Sequence, residues 1–456
     1  MDAAARPIIP LAPKVHSKDL STWRLVLAMT SNSLGAWPER SFDEAIGRNR
    51  VLGREAILLS DPEGVRHVLA TERLKYGRPQ TNTRSIRPLA GAGVLLAEGE
   101  TWRRQRRMLA PVFTPAHVEL ILPHLEIAAG AMLGRLSGVS RANLSNAFHE
   151  ATLDVVLRAL FSLPGEAQRA EMARLVRRYL AGPGRPNLFD GLANQDSDFA
   201  WAEGKRRRFQ RDWFAEVDRL VDERRGGPAG QHRDLLDLLL AARDPESGEA
   251  LSAAEVRDQS ATMLFAGFET TSRLLFWAIY LLALDPIEQA RLRREIAASP
   301  PERVRRLEDM QAWPRLRQVL LEALRLYPPA AHILRQALED DTILGEHVRP
   351  GTLVWISPWV IHRHRKYWDQ PTAFMPDRFA GQTSPWTSYG PFLPFGGGPR
   401  ICIGAAFAMA EAQYMLASLL SRFEVTLDDP RPVMPVGGVT TVPSVEPSFR
   451  LNPVGA

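Results

Sequence analysis

Helical periodicity runs through most of this sequence and restricts the folds that it can adopt. Apolar residues recur at three- and four-residue spacing in six long segments, at residues 117–136, 147–162, 207–224, 252–284, 313–327 and 404–421. Pieces with strand character, in which β-branched residues lie between turn formers, are short and lie at 51–59, 342–344 and 352–357. The sequence therefore predicts a mainly α protein with small β-sheets.

The organisation of the chain favours one domain. No low-complexity stretch, charge-rich linker or internal repeat divides the 456 residues. We therefore predict a single domain over 1–456, opening with a proline-containing segment at 1–20. Glycine- and proline-rich pieces at 182–187 and 226–228 are expected to be mobile connectors, and 430–447 is expected to form irregular hairpins.

Charge and cysteine content exclude several classes of protein. The 57 Lys and Arg residues exceed the 52 Asp and Glu residues by five, too dilute a surplus for a nucleic-acid binder. Because there is one cysteine, an intramolecular disulfide is impossible and a reducing compartment fits best. The apolar run at 25–29 is too short for a transmembrane anchor, so we expect a soluble, cytoplasmic protein.

The sole cysteine, Cys402, lies in a glycine-rich loop, residues 395–404, immediately before a strongly predicted helix. Backbone N–H groups at a helix N-terminus stabilise an anion, so we expect a lowered pKa for this thiol and a thiolate that can bind a metal ion. A buried, inert cysteine is the alternative for a cysteine considered alone. The pattern around it has five fixed positions, Phe395, Gly398, Arg400, Cys402 and Gly404.

This Phe-x-x-Gly-x-Arg-x-Cys-x-Gly pattern resembles the haem-binding loop of the cytochrome P450 family. The resemblance implies haem b as the cofactor, with the Cys402 thiolate as the ligand of its iron. It further implies that Arg400 pairs with a haem propionate and that Phe395 shields the sulfur. Gly398 and Gly404 would let the backbone approach the porphyrin.

A second motif, Ala266–Thr271, interrupts the long helix predicted at 252–284. A glycine inside a helix costs about 1 kcal/mol relative to alanine, and threonine hydroxyls compete for backbone carbonyls. A tolerated flaw in a buried helix is the alternative. The motif resembles the oxygen-binding groove of the same family, which implies that Glu269 and Thr270 relay protons during dioxygen activation. The small Ala266 would leave room over the haem.

A third motif is the pair Glu322 and Arg325, which interrupts an apolar helix at a spacing of three residues. We expect both charges to be buried and to need further hydrogen-bond partners. The pair resembles the Glu-x-x-Arg of the family, and Arg378 within Pro376–Phe379 matches its third member. The implied role is a structural lock behind the cysteine loop.

A fourth motif is Trp102 with Arg106, four residues apart in an arginine-rich segment. A solvated helix face is the alternative. The resemblance implies that this pair contacts a haem propionate and that Arg335 makes another such contact. The other arginines of the segment are expected to form a basic docking surface for an acidic electron donor: Arg103, Arg104 and Arg107.

The four motifs imply a haem-thiolate monooxygenase that uses dioxygen and two externally supplied electrons to hydroxylate or otherwise oxidise an apolar small molecule. Fatty acids, terpenoids, steroids and aromatics stay open as substrates. One cysteine cannot ligate an iron–sulfur cluster, so a separate ferredoxin or flavodoxin with an NAD(P)H-dependent reductase is expected. A peroxide-using or isomerising enzyme of the same fold, or a non-catalytic haem- or ligand-binding protein, is the alternative.

The resemblance also places the substrate pocket. Its walls are expected at 80–97, 183–194, 330–334 and 437–441, and on the helix around Leu264 and Phe268. His332 either bonds a polar end of the substrate or is a solvated or backbone-bonded histidine. His362 and His364 are two apart and are not expected to form a metal site.

Overall fold

The computed structural model describes residues 7–51, 53–79, 83–162, 166–184, 203–226, 234–387, 389–429 and 431–454. Its α-helices in chain order are α1 (Thr22–Ser31), α2 (Pro62–Arg66), α3 (Arg87–Ala90), α4 (Gly99–Leu109), α5 (Pro115–Glu119), α6 (Leu122–Leu136), α7 (Leu144–Phe161), α8 (Glu166–Ala181), α9 (Glu203–Gly226), α10 (Leu235–Ala241), α11 (Ala253–Leu284), α12 (Pro286–Ala298), α13 (Pro314–Leu326), α14 (Pro358–Ile361) and α15 (Ala405–Arg422).

The strands are shorter and form four small sheets. They are β1 (Ile46–Val51), β2 (Arg54–Leu59), β3 (Tyr76–Gly77), β4 (Arg141–Ala142), β5 (Ile333–Ala337), β6 (Asp341–Ile343), β7 (Glu346–Val348), β8 (Leu353–Ile356), β9 (Phe423–Leu427), β10 (Pro435–Gly437), β11 (Thr441–Pro443) and β12 (Phe449–Pro453). The largest sheet has the order β1-β2-β8-β5-β3, in which only β2 and β8 run parallel. The prediction of a mainly α protein with small sheets is confirmed.

Two predicted elements are each divided in the structure. The predicted strand 51–59 is a hairpin of β1 and β2, because Gly53 has a φ of 79° and turns the chain. The predicted helix 117–136 is two helices, α5 and α6. Proline at position 123 has no backbone N–H and fits only the first turn of the second helix.

Helix α11 is the central element of the core. It begins with a capping box in which Ser252 accepts from the backbone N–H of Glu255 and the carboxylate of Glu255 accepts in return. Along most of its 32 residues the side chains are buried, and it packs most extensively on α7 and further on α13 and α15. A helix that is apolar on nearly all sides belongs in the interior of the molecule.

Several predictions fall partly outside the described residues. Positions 80–82, 185–194, 227–228 and 430 of the expected pocket walls, connectors and hairpins belong to this group. Within the described part of 430–447, β10 and β11 form the expected hairpin. No single helix in the described ranges has the length and hydropathy of a membrane span, although the bent pair Gly99–Phe113 and His117–Leu136 meets both limits when taken together.

Candidate functional site

The cysteine loop is held against a π-helical turn, His67–Thr71, by close backbone packing. Gly398 has a φ of 69°, and a Cβ added there would lie 2.0 Å from the carbonyl oxygen of Leu69. Only glycine satisfies both the backbone angle and the contact. The backbone N–H of Cys402 donates to the carbonyl of Phe395 at 2.9 Å, which closes the loop just before α15.

The Cys402 side chain has accessible surface although protein atoms surround it. It therefore faces an internal space. Burial raises the pKa of its thiol, and the N–H of Gly404 and the positive charge of Arg106 oppose this only in part. The expectation of a lowered pKa is wrong for the protein alone, because desolvation outweighs the two favourable contacts. A bound metal ion would reverse the balance, since it deprotonates a coordinating thiol.

A strip of partly exposed residues runs along one side of the buried helix α11. Met263, Ala266, Gly267 and Thr270 retain accessible surface, whereas most of their neighbours on the helix are buried. Their spacing of i, i+3, i+4 and i+7 places them on one face. The hydroxyl of Thr270 donates to the carbonyl of Ala266 at 2.7 Å, as threonine does within a helix.

The expected pocket residues Leu264 and Phe268 are not on this strip. Both are fully buried, and Phe268 stacks edge-on against His149 with ring centroids 4.9 Å apart. The prediction named the helix around these two residues; Leu264 and Phe268 themselves point into the contact between helices, and the accessible residues lie beside them. The accessible side chains of the same stretch are those of Met263, Ala266 and Thr270.

Three arginines from distant parts of the chain converge beside the loop. Arg400 donates to the carbonyl of Ala97 at 2.9 Å and to Glu98 at 3.0 Å. Arg78 lies 3.5 Å from the other oxygen of Glu98. Burial lowers the pKa of Arg78 to about 9, and the like charges of Arg335 and Arg400 add to this effect. Burial likewise lowers the pKa of Arg335 to about 10.

Sequence reasoning missed Arg78. It follows β3, whose register pairs Gly77 with Gln336, so the next residue comes level with Arg335 on β5. That strand pairing joins positions about 260 residues apart, and no motif around Arg78 marks it. The one available signal is chemical: an arginine at the end of a strand can pair with a carboxylate such as a haem propionate.

Trp102 and Arg106 complete this region from α4. The Arg400 guanidinium carbon lies 4.3 Å from the centre of a Trp102 ring, within cation–π distance. Arg106 is close enough to Cys402 for their charges to interact, and burial lowers its pKa. Phe395 packs edge-on against Trp386 at 5.0 Å, and Gly404 forms the N-cap of α15. The structure thus brings the predicted loop, α4 and β5 residues into one neighbourhood.

The charge of this neighbourhood fits the group that the sequence implies. Within the part of the chain that the structure describes, Arg78, Arg335 and Arg400 share a single neighbouring carboxylate, that of Glu98. Buried like charges repel one another unless anions compensate them. The two propionates of haem b supply such anions, and Cys402 supplies a thiol that can become the ligand of iron. The residues present therefore fit a haem.

Glu269 does not share the environment of Thr270. Its carboxylate is buried, and Oε1 accepts from Arg273 Nε and from Thr440 Oγ1, both at 2.9 Å. The second oxygen, Oε2, lies 3.5 Å from Nε2 of His149. Burial raises the pKa of Glu269, but Arg273, His149 and the hydrogen bonds outweigh burial and lower it. Adjacent residues leave a helix about 100° apart, so the two side chains have different surroundings.

The structure joins Glu322, Arg325 and Arg378 in one buried network. The Arg325–Glu322 pair is fully buried, with N–O distances of 2.6 and 2.7 Å, and Arg378 Nε lies 3.3 Å from Glu322. Arg325 also donates to three backbone carbonyls, those of His362, Pro371 and Ala373. These bonds tie α13 to the segment that leads into the cysteine loop.

The expected basic docking surface is largely neutralised within the chain. Arg104 forms an ion pair with Glu255, and Arg107 binds Asp244 through two contacts of 3.1 Å. Arg107 also lies 2.9 Å from Glu246. Only Arg103 is well exposed, and it pairs with Glu100 at 3.1 Å. The prediction of three available arginines is wrong, because acidic residues from α11 and the preceding loop occupy two of them.

The three histidines discussed above take part in internal contacts. His332 is hydrogen-bonded to the Ser33 hydroxyl at 2.8 Å and lies 3.3 Å from that of Ser357, and burial lowers its pKa to about 4. His362 accepts from the backbone N–H of Leu393 at 2.8 Å, and His364 Nε2 contacts a backbone carbonyl. His332 is thus held by two side-chain hydroxyls, and the expected alternative of a solvated or backbone-bonded histidine is wrong.

Comparison with known proteins gives concordant results. The sequence profile of the family described as "Cytochrome P450" matches residues 41–447. Cyclooctatin synthase from Streptomyces melanosporofaciens is 32% identical over 396 residues, covering 84% of each chain. Cytokinin hydroxylase from Arabidopsis thaliana is 29% identical and covers 87% of this chain and 79% of its own. The crystal structure of the cytochrome P450DA haem domain is similar with a TM-score of 0.79 at 25% identity, and covers 98% of both chains.

Proposed function

The chain belongs to the cytochrome P450 family of haem-thiolate monooxygenases, with haem b as cofactor, and from this premise we propose a specific reaction. The protein uses dioxygen and two electrons from separate redox proteins to hydroxylate or otherwise oxidise an apolar small molecule. The observation that carries the proposal is the accessible Cys402 thiol next to a cluster of buried arginines around the carboxylate of Glu98. When bound, haem supplies the oxygen-activating redox chemistry.

The residues of this chain would bind both the iron and the propionates of the cofactor. Cys402 would bind its iron, and Gly404 N–H and Arg106 would stabilise the sulfur anion. Arg78, Arg335 and Arg400 would pair with the propionates, since guanidinium forks match carboxylate geometry. Trp102 supports this arrangement by packing its ring under Arg400.

Thr270 and Glu269 would deliver protons to the site of dioxygen activation. The Thr270 hydroxyl lies on the accessible strip of α11 and can exchange its bond to the Ala266 carbonyl for one to water or dioxygen. Glu269 would provide protons by turning its carboxylate towards Thr270 from its present partners Arg273 and Thr440. An acid and a hydroxyl in this relation are suited to general acid catalysis.

The substrate is proposed to be an apolar small molecule, because the strip on α11 carries methionine, alanine and glycine beside Thr270. The names of the relatives, cyclooctatin synthase and cytokinin hydroxylase, support oxidation of small molecules as the general activity. We further propose that the enzyme is cytoplasmic. We propose that it receives electrons from a ferredoxin or flavodoxin and an NAD(P)H-dependent reductase, because its one cysteine is the iron ligand and cannot also bind an iron–sulfur cluster.

The experiment that tests this proposal is the absorption spectrum of the reduced protein with carbon monoxide, for the parent and for Cys402→Ser. We expect a red-shifted Soret band in the parent that the variant loses. A histidine-like band, or no bound haem in well-folded parent protein, would overturn the proposal. Turnover supported by peroxide but not by any reductase and ferredoxin would instead identify a peroxide-using enzyme.

A further inference from the structure

A polar route leads from the surface of the molecule to the buried carboxylate of Glu269. It starts at Glu446, an exposed residue whose Oε1 accepts from the Ser145 hydroxyl at 3.2 Å. Ser145 accepts in turn from Arg273 Nη1 at 3.2 Å, and Arg273 Nε donates to Glu269 at 2.9 Å. Consecutive hydrogen bonds thus join a solvated carboxylate to one that is 1% exposed.

His149 lies at the inner end of this route. It is one helical turn after Ser145 on α7, so the two side chains share a face of the helix. Its ring is 3% exposed and is oriented by edge-on contact with Phe268 on α11. Nε2 faces Oε2 of Glu269 at 3.5 Å, and Nδ1 lies 3.4 Å from the Ser272 hydroxyl.

The two oxygens of Glu269 therefore have different partners. Oε1 is committed to Arg273 and Thr440, both of which donate hydrogen bonds. Arginine stays protonated at any physiological pH, so it cannot pass on a proton. Among the described side chains at this carboxylate, histidine is the one whose ordinary pKa permits both loss and gain of a proton near neutral pH.

On the premise of the proposed function, we propose that His149 is a positioning residue that reloads Glu269 with protons, and that Ser145, Arg273 and Glu446 line its access to solvent. One proton moves per transfer. The imidazolium gives its Nε2 proton to Oε2 of Glu269, and Glu269 turns and passes a proton to water at Thr270. The neutral imidazole keeps its Nδ1 proton and then regains a proton on Nε2 from solvent that enters past Ser145.

The groups around the pair favour this assignment. Arg273 approaches from α11, Thr440 from the β10–β11 turn, and Ser145 from the same helix as His149. Positive charge on Arg273 and His149 helps to lower the pKa of Glu269, which disfavours the protonated carboxyl. Reloading it then requires a donor in direct reach, a condition that the surface carboxylate Glu446 does not meet.

The test compares His149→Gln with His124→Gln, the same change at a partly buried histidine on the neighbouring helix α6. In the haem-loaded enzyme we expect H149Q to lower product formation about tenfold, to release more peroxide per electron and to increase the solvent deuterium isotope effect. H124Q should match the parent in all three. Unchanged carbon monoxide spectra and melting temperatures would show that H149Q is folded.

A second readout does not depend on activity. Infrared difference spectra against pH detect the protonated carboxyl of Glu269, which Glu269→Gln identifies by removing its band. H149Q should move this titration to higher pH, because a positive charge near the carboxylate is lost. An unchanged titration and isotope effect in H149Q, with turnover still reduced in E269Q, would overturn the role of His149. Full turnover in E269Q would instead refute the proton role of Glu269 in the proposed function.

Discussion

Removal of the buried carboxylate of Glu322 should destabilise the protein strongly. In Glu322→Ala, the Nε of Arg325, the backbone N–H of Met375 and the Nε of Arg378 all lose their acceptor in a region without solvent. Breaking a buried pair from one side costs about 3–5 kcal/mol, because the remaining charge stays desolvated. Unfolding entropy of about 2.1 cal/mol/K per residue gives about 1 kcal/mol/K for 456 residues. The expected fall in Tm is therefore about 3–5 °C.

The matched control is Glu171→Ala. Glu171 and Arg174 have the same residue types, order and spacing as Glu322 and Arg325, but their side chains are 47% and 54% exposed. Differential scanning calorimetry of E322A and E171A measures both effects in one assay. We expect no resolvable change in E171A, since solvent replaces the lost partner. Equal Tm values for E322A and the parent, or equal losses in both variants, would refute the argument that burial sets the cost.

Three further outcomes are expected. His332 has a pKa of about 4 in the folded protein, below its unfolded value near 6.5. Its contribution to stability is therefore complete above pH 6.5 and is lost as pH falls towards 4. The free energy of unfolding of His332→Asn should lack this part of the pH dependence. Gly398→Ala should cost at least about 1 kcal/mol and weaken haem retention, because its φ is positive and Leu69 leaves no room for a Cβ; a parent-like Tm and haem content would contradict this. Arg78→Met should release haem to apomyoglobin faster than the exposed control Arg103→Met, and equal rates would remove Arg78 from the cofactor site.

Local patterns were sufficient for much of the fold and for the position of the cysteine. Helical periodicity identified α7, α9, α11, α13 and α15 to within a few residues, because their apolar faces repeat along the chain. Periodicity missed α8 and α12. It also did not show that the predicted strand 51–59 is divided into β1 and β2, because that division depends on one turn residue, Gly53. The extent of the single domain and the individual roles of the site residues stay predictions.

The sequence by itself determined the family, the cofactor chemistry and the residues of each contiguous motif, because a loop such as 395–404 acts through neighbours along the chain. The tertiary structure decided every property that depends on contacts between distant residues. Arg78 reaches Arg335 through strand pairing, and Asp244 neutralises Arg107 from another element. Burial raised the pKa of Cys402. It also placed the Glu269 carboxylate among buried partners that Thr270 does not share. Charge, solvation and access depend on three-dimensional distance, and spacing along the chain does not specify that distance.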